Sequence, residues 1–244
     1  DRCIFLEDDQ IPSVSFFRFC AEMLEKYKDD LRVLMICGMN QLGIYEDASA
    51  DYFFSNAGSI WGVAMWKRTC NLHGDFSFGE DPYVMKCIKN LVGNKKEIWK
   101  QFETCASSRS YDGHPAGDEF FLSLMCYGEN QLLIVPKKNL ISNIGSTENS
   151  AHAGEMRTLP RGIRRVFNIK TYELKFPLVH PKFIINDVDY EKQVNRIMGV
   201  GHPFVQIWRK AERFFLILRY EGMSALIKKM HFMYKRSKNQ QIEK

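Results

Sequence analysis

The chain opens with a short apolar run that leads directly into three acidic residues. The run extends from Arg2 to Leu6, and Glu7, Asp8 and Asp9 follow it without a break. It is too short for a buried helix, and its bulky side chains are typical of a strand covered on both faces of a parallel sheet. Because ligands of open α/β sheets bind at the carboxyl ends of strands, we expect the acids to lie at a ligand-binding edge. The alternative is a solvated acidic turn before a helix.

The residues after the acids have the periodicity of a helix followed by a second strand. Apolar side chains recur at helical spacing at Phe16, Cys20, Leu24 and Tyr27. Ser13 is placed to cap the N-terminus of this helix, and the segment 31–37 is typical of the next buried strand. The pattern therefore predicts a βαβ unit with the acids at its first turn.

Composition and charge limit the class of protein. The seven cysteines lie far apart with no CxxC pair, which argues against a zinc site or a disulfide framework and for a reducing compartment. No apolar run approaches the ~20 residues of a membrane span. The net charge is +5 overall, but residues 204–244 contain ten Lys or Arg and three Glu, a net charge of +7. We therefore expect any anionic surface partner at the C-terminal end.

A second informative stretch, residues 52–68, combines small residues with two tryptophans. Gly62 lies between Trp61 and Trp66 in a Trp-Gly-x-Ala-x-Trp-Lys-Arg segment. Small residues let a backbone pass close to a flat ligand while aromatic rings stack on it. The alternative is a tight corner between strand and helix with packed tryptophans.

In their order along the chain, these stretches resemble bacterial sugar-nucleotide-dependent glycosyltransferases of the GT-A fold, a group distantly related to N-acetylglucosaminyltransferase I. The resemblance covers residues 2–154 and rests on Glu7-Asp8-Asp9, the segment 61–68, the acidic pair Asp118-Glu119, and the segment 136–145 followed by His152. It implies an α/β fold with a Rossmann-like mixed sheet flanked by helices. It also implies that the nucleotide-binding part preceding the acidic strand is missing, so that the segment alone would bind donor poorly.

The resemblance implies a metal and donor site. Mn²⁺ or Mg²⁺ would bridge the two phosphates of the donor, and Asp9 would be its direct ligand. Glu7 and Asp8 would lie beside the nucleotide sugar. His152 would be a second metal ligand, although a histidine in a polar loop is also commonly just solvated.

The resemblance also implies a general base and substrate contacts. Asp118 or Glu119, which open a later helix, would take the proton of the acceptor hydroxyl. A cap at the helix N-terminus is the alternative role for Asp118. Trp61, Gly62 and Trp66 would contact the substrate, with core packing as the alternative for Trp66.

These expectations divide the chain into a catalytic portion (1–154), an irregular extension (155–203) and a basic amphipathic helical tail (204–244). The tail is typical either of an interfacial helix on anionic lipid or of a helix that covers the catalytic domain. A further alternative for the whole chain is a non-catalytic or truncated domain that binds glycan or membrane. Nucleotidyl transfer would want a Gly-rich phosphate loop near the N-terminus, and the sequence shows none.

The function implied is that of a metal-dependent inverting glycosyltransferase in polysaccharide biosynthesis. It would move a sugar from a nucleotide-sugar donor to a glycan or lipid-linked acceptor. The expected location is the cytoplasm, with peripheral contact at the inner face of an anionic membrane. No nucleic-acid partner is expected.

Overall fold

The computed structural model describes residues 1–72, 77–108, 125–145, 156–225, 227–228 and 231. The strands are β1 (Arg2–Phe5), β2 (Gln10–Pro12), β3 (Val33–Cys37), β4 (Tyr52–Ser55), β5 (Val63–Trp66), β6 (Leu132–Pro136) and β7 (Ile141–Asn143). The α-helices are α1 (Val14–Lys26), α2 (Lys67–Asn71), α3 (Pro82–Val92), α4 (Lys96–Ser108), α5 (Arg161–Arg164), α6 (Val188–Met198) and α7 (Pro203–Tyr220). Short 3₁₀ helices cover Ser77–Glu80 and Met156–Thr158. No helix in these ranges combines the length and hydrophobicity needed to cross a bilayer.

The main sheet is mixed and has the strand order β1-β5-β3-β6-β4. The β3–β6 pair is parallel, and the other three neighbouring pairs are antiparallel. A separate two-stranded ribbon joins β2 to β7. The prediction of an α/β fold with a mixed sheet flanked by helices is confirmed at this level.

The prediction that β1 is buried on both faces of a parallel sheet is wrong. All four residues of β1 are exposed, and the strand pairs only with β5, from Arg2 opposite Trp66 to Phe5 opposite Val63. The reason is topological, because β5 lies between β1 and β3. Since β1 and β3 are each antiparallel to β5, they run in the same direction. The acidic turn after β1 therefore lies at the same edge of the sheet as the carboxyl ends of β3 and β6.

Helices cover both faces of the sheet. The predicted stripe of α1 is confirmed, since it packs on one face together with apolar residues of the segment 166–178. The opposite face is covered by side chains of α3, α4 and α6, including Ile88, Phe102 and Tyr190. The three layers enclose the core and leave the carboxyl edge of the sheet to loops.

The N-terminus of α1 is capped from far along the chain. Ser13 holds the N-cap position, but its side chain makes no capping hydrogen bond, contrary to expectation. Instead the Glu173 carboxylate accepts hydrogen bonds from the backbone N–H groups of Val14 at 3.0 Å and Ser15 at 2.8 Å, and from the Ser15 hydroxyl. These donors lower the pKa of Glu173 below its ordinary value. The carboxylate occupies the end of α1 at which an anionic ligand would otherwise bind.

Candidate functional site

The acidic turn is fixed to the sheet by the β2–β7 ribbon. Gln10 pairs with Asn143, and the backbone N–H of Ile144 donates to the carbonyl of Asp9 at 2.9 Å. Asp9 is half-buried, whereas Asp8 is exposed. The ribbon therefore joins two segments that the sequence places more than a hundred residues apart.

The carboxylate of Asp9 has defined neighbours. The side-chain amide of Asn143 donates a hydrogen bond to it, from Nδ2 to Oδ1 at 3.3 Å, and the amide oxygen of Asn143 accepts from the backbone N–H of Gly145 at 2.9 Å. Asn143 is only 3% exposed. A Cβ at position 145 would overlap Oδ2 of Asp9, so a larger residue there would require this carboxylate to move. These contacts position the Asp9 side chain.

The turn that carries Glu7 and Asp8 is closed by Gln10. Its backbone N–H donates to the carbonyl of Glu7 at 3.2 Å, and its side-chain oxygen accepts from the N–H of Glu7 at 3.3 Å. Gln10 is 7% exposed, and its Nε2 has no acceptor among the residues that the structure describes. A buried donor of this kind is normally satisfied by water or by a ligand. The Gln10 side chain therefore offers a hydrogen-bond donor beside the carboxylates of the turn.

The acidic residues of the turn offer carboxylate oxygens, which are suitable ligands for a hard divalent cation. Over the described ranges, no three or more His, Cys, Asp or Glu side chains gather as a metal site. Mg²⁺, however, is often held by one or two carboxylates, with phosphates and water completing its shell. Asp9 suits that arrangement, whereas the second expected ligand, His152, lies outside the described residues. Asp118 and Glu119, the expected bases, also lie outside them.

Gly62 is required by the close approach of two strands at the carboxyl edge. Its φ is +67°, and a Cβ there would come within 2.5 Å of Cγ1 of Ile141. Its carbonyl accepts a hydrogen bond from the N–H of Gly38 at 2.7 Å. The start of β5 is thereby brought against both β7 and the end of β3.

Trp61 lies in the same region as Asp9. Its half-buried ring packs on Phe167, with 5.2 Å between the ring centres. The next residue, Asn168, donates its backbone N–H to the carbonyl of Asn143 at 2.9 Å. Because Asn143 also holds the Asp9 carboxylate, a short series of contacts connects the tryptophan to the acidic turn.

Trp66 has a different environment. It is 5% exposed, its Nε1–H donates to the carbonyl of Leu24 at 3.1 Å, and the Arg68 guanidinium lies 3.9 Å from the ring centre. These contacts bury the indole between the sheet and α1. This environment is the one that the packing alternative for Trp66 describes.

Two buried asparagines that the sequence interpretation missed hold the loops of this edge. Asn40 follows β3 and Asn139 follows β6, and both are fully buried. The N–H of Asn40 donates to Oδ1 of Asn139 at 2.9 Å, and its side chain donates to the carbonyls of Pro136 and Lys137, each at 2.9 Å. Their one sequence signal is a shared position, an asparagine a few residues after a buried strand.

Comparison with known proteins adds no relative to this description. No protein-family model matches the chain, and a search of curated proteins returns no match.

Proposed function

We propose that this chain is part of a metal-dependent glycosyltransferase of the GT-A type. It would transfer a sugar from a nucleotide-sugar donor to a hydroxyl of a glycan or a lipid-linked acceptor, in the cytoplasm. The main support is the Asp9 carboxylate, which is held by Asn143 and Gly145 at the carboxyl edge of a mixed sheet. That edge is where open α/β sheets bind their ligands.

The chemistry needs carboxylates and hydrogen-bond donors at this turn. A bound Mn²⁺ or Mg²⁺ would neutralise the charge that develops on the leaving diphosphate. Asp9 would hold the cation, and Glu7 and Asp8 would lie beside the donor. The Nε2–H of Gln10, which has no acceptor among the described residues, would donate a hydrogen bond to an oxygen of the nucleotide sugar. This contact would remove the free-energy cost of burying the N–H without an acceptor.

The acceptor side of the proposal uses Trp61 and the later acids. Trp61 and Phe167 form an aromatic surface on which an acceptor sugar would stack. Asp118 or Glu119 would accept the proton of the attacking hydroxyl, which approaches the anomeric carbon opposite the leaving group and inverts it.

The experiment is a thermal-shift screen of nucleotide sugars, each with and without Mn²⁺, on the full-length protein. A true donor raises the melting temperature because it binds the folded state. The shift is expected to need Mn²⁺ and to disappear in Asp9→Asn but not in Asp29→Asn, an exposed carboxylate that precedes β3 at the opposite edge of the sheet. No shift with any nucleotide sugar would contradict the proposal and favour a non-catalytic glycan-binding domain.

A further inference from the structure

Helix α7 packs on the rest of the protein through the buried Ile217 and through several polar side chains. The amide of Gln206 donates to the carbonyl of Gly199 at 3.0 Å, and the Glu212 carboxylate accepts from the backbone N–H of Arg161 at 3.0 Å. The Arg209 guanidinium donates to the carbonyl of Ile197. Polar groups of α7 thus hold it against α5 and the end of α6.

The side chain of Arg209 makes a close contact that fixes how α7 packs against the protein. Its guanidinium lies directly against the backbone of Gly162 and Gly199, where a Cβ would come within 2.8 Å and 2.9 Å of its nitrogens. Burial lowers the pKa of the Arg209 side chain. A charged residue that is partly buried by backbone glycines fixes which side of α7 faces the protein.

The apolar side of α7 faces outward. Its large side chains are between 41% and 86% exposed and comprise Phe204, Ile207, Trp208, Phe214 and Phe215. Their spacing of three and four residues puts them on one side of the helix. A helix on a protein surface normally buries most of its large apolar side chains, whereas α7 buries Ile217 and leaves these five exposed. An apolar surface of this kind is usually an interaction site.

Charge indicates what covers this surface. Lys210 and Arg219 are both exposed and lie on either side of the apolar stripe at 3.6 residues per turn. The sequence from 204 to 244 has a net charge of +7. Aromatic and aliphatic side chains bordered by cations suit the headgroup region of an anionic bilayer.

We propose that α7 lies flat on an anionic lipid surface, with Phe204, Trp208 and Phe215 inserted among the acyl chains. The 18-residue helix, about 27 Å long at 1.5 Å per residue, would lie parallel to the membrane. Lys210 and Arg219 would contact lipid phosphates. The inference stands apart from the proposed function, because it uses no residue of the acidic turn.

The test is co-sedimentation of the full-length protein with vesicles. One set contains phosphatidylcholine alone, and the other contains equal parts of phosphatidylcholine and phosphatidylserine. We expect binding to the anionic vesicles, little binding to the neutral ones, and a loss of binding as salt rises. The triple variant Phe204→Ser, Trp208→Ser, Phe215→Ser is expected to reduce the affinity about tenfold or more.

A matched control changes three other exposed apolar residues away from α7, as Leu31→Ser, Tyr83→Ser and Phe183→Ser. This control is expected to bind vesicles like the unmodified protein. Two results would overturn the proposal. One is equal sedimentation of the α7 variant and the control with anionic vesicles. The other is that the protein does not bind vesicles but forms a dimer in sedimentation equilibrium, and that only the α7 variant loses this dimer. That result would assign the surface to a second copy of the chain.

Discussion

The side chains of Asn143 and Asp9, 134 positions apart in sequence, are joined by a hydrogen bond of 3.3 Å at the carboxyl edge of the sheet. The bond comes from an amide that is nearly fully buried and that also accepts the backbone N–H of Gly145. A carboxylate restrained in this way loses little conformational entropy when it binds a ligand.

Asn143→Ala is expected to lower the affinity for the cation while leaving its ligand, Asp9, in place. Loss of a residue that orients a metal ligand typically reduces metal affinity about 10–100-fold. In the full-length protein, the Mn²⁺ concentration for half-maximal sugar transfer should rise by that factor, while kcat at saturating Mn²⁺ recovers. Asn90→Ala, an exposed position on α3, is the control. A purely structural role would lower the melting temperature and leave the Mn²⁺ dependence unchanged.

Gly145→Ala tests the same contact from the other side. The new methyl group would overlap Oδ2 of Asp9, so the carboxylate must move. We expect the Mn²⁺-dependent thermal shift to be lost. Gly128→Ala is a matched control, because a Cβ there has no neighbour within 4 Å. An unchanged Mn²⁺ response in Gly145→Ala would show that the position of the Asp9 carboxylate is not important.

A stability prediction follows from the partly buried ion pair between Lys95 and Glu191. The two side chains are 23% and 9% exposed, and the hydroxyl of Tyr127 donates to the same carboxylate at 3.0 Å. Lys95→Met leaves Glu191 buried without its cation and should cost about 3–5 kcal/mol of unfolding free energy. Chemical denaturation measures this change in the free energy of unfolding.

The exposed pair Lys192–Asp189 is the control for this measurement, since its side chains are 71% and 77% exposed. Lys192→Met is expected to change stability by less than about 1 kcal/mol. Equal effects of the two substitutions would contradict the distinction between buried and exposed pairs in this protein.

The capping of α1 predicts a pH dependence. The pKa of Glu173 is lowered from its ordinary 4.5, first by the Ser15 hydroxyl and then by backbone N–H groups. A lowered folded-state pKa means stability that is present above 4.5 and lost as the pH falls through the folded value. The melting temperature of Glu173→Gln should therefore decrease less than that of the unmodified protein as the pH falls below 4.5. Glu129→Gln, at an exposed position, should show the same decrease in melting temperature as the unmodified protein.

Local patterns predicted the elements better than their arrangement. The spacing of Phe16, Cys20 and Leu24 correctly identified the buried side of α1, because helix burial follows a local period. The prediction that β1 is buried was wrong because a short apolar run does not reveal how many strands flank it. That number depends on β5, which returns between β1 and β3 some sixty residues later.

The site itself depended on contacts that no local pattern contains. Asn143 meets its partner Asp9, 134 positions away in sequence, because β7 pairs with β2 in the ribbon. Glu173 replaces Ser13 as the cap of α1 and accepts from the N–H of Ser15, 158 positions earlier in the chain. Each of these contacts brings distant segments together, and a single sequence gives no pairing information for them.

The most direct measurement is sugar transfer by the full-length protein, with Mn²⁺ and the donor found by thermal shift, compared between Asp9→Asn and Asp29→Asn. Because Asp9 would hold the cation against the leaving diphosphate, Asp9→Asn is predicted to lower kcat/KM about a hundredfold or more. Asp29→Asn should leave kcat/KM unchanged. Transfer by Asp9→Asn at the unmodified rate and with the same Mn²⁺ dependence would contradict the account.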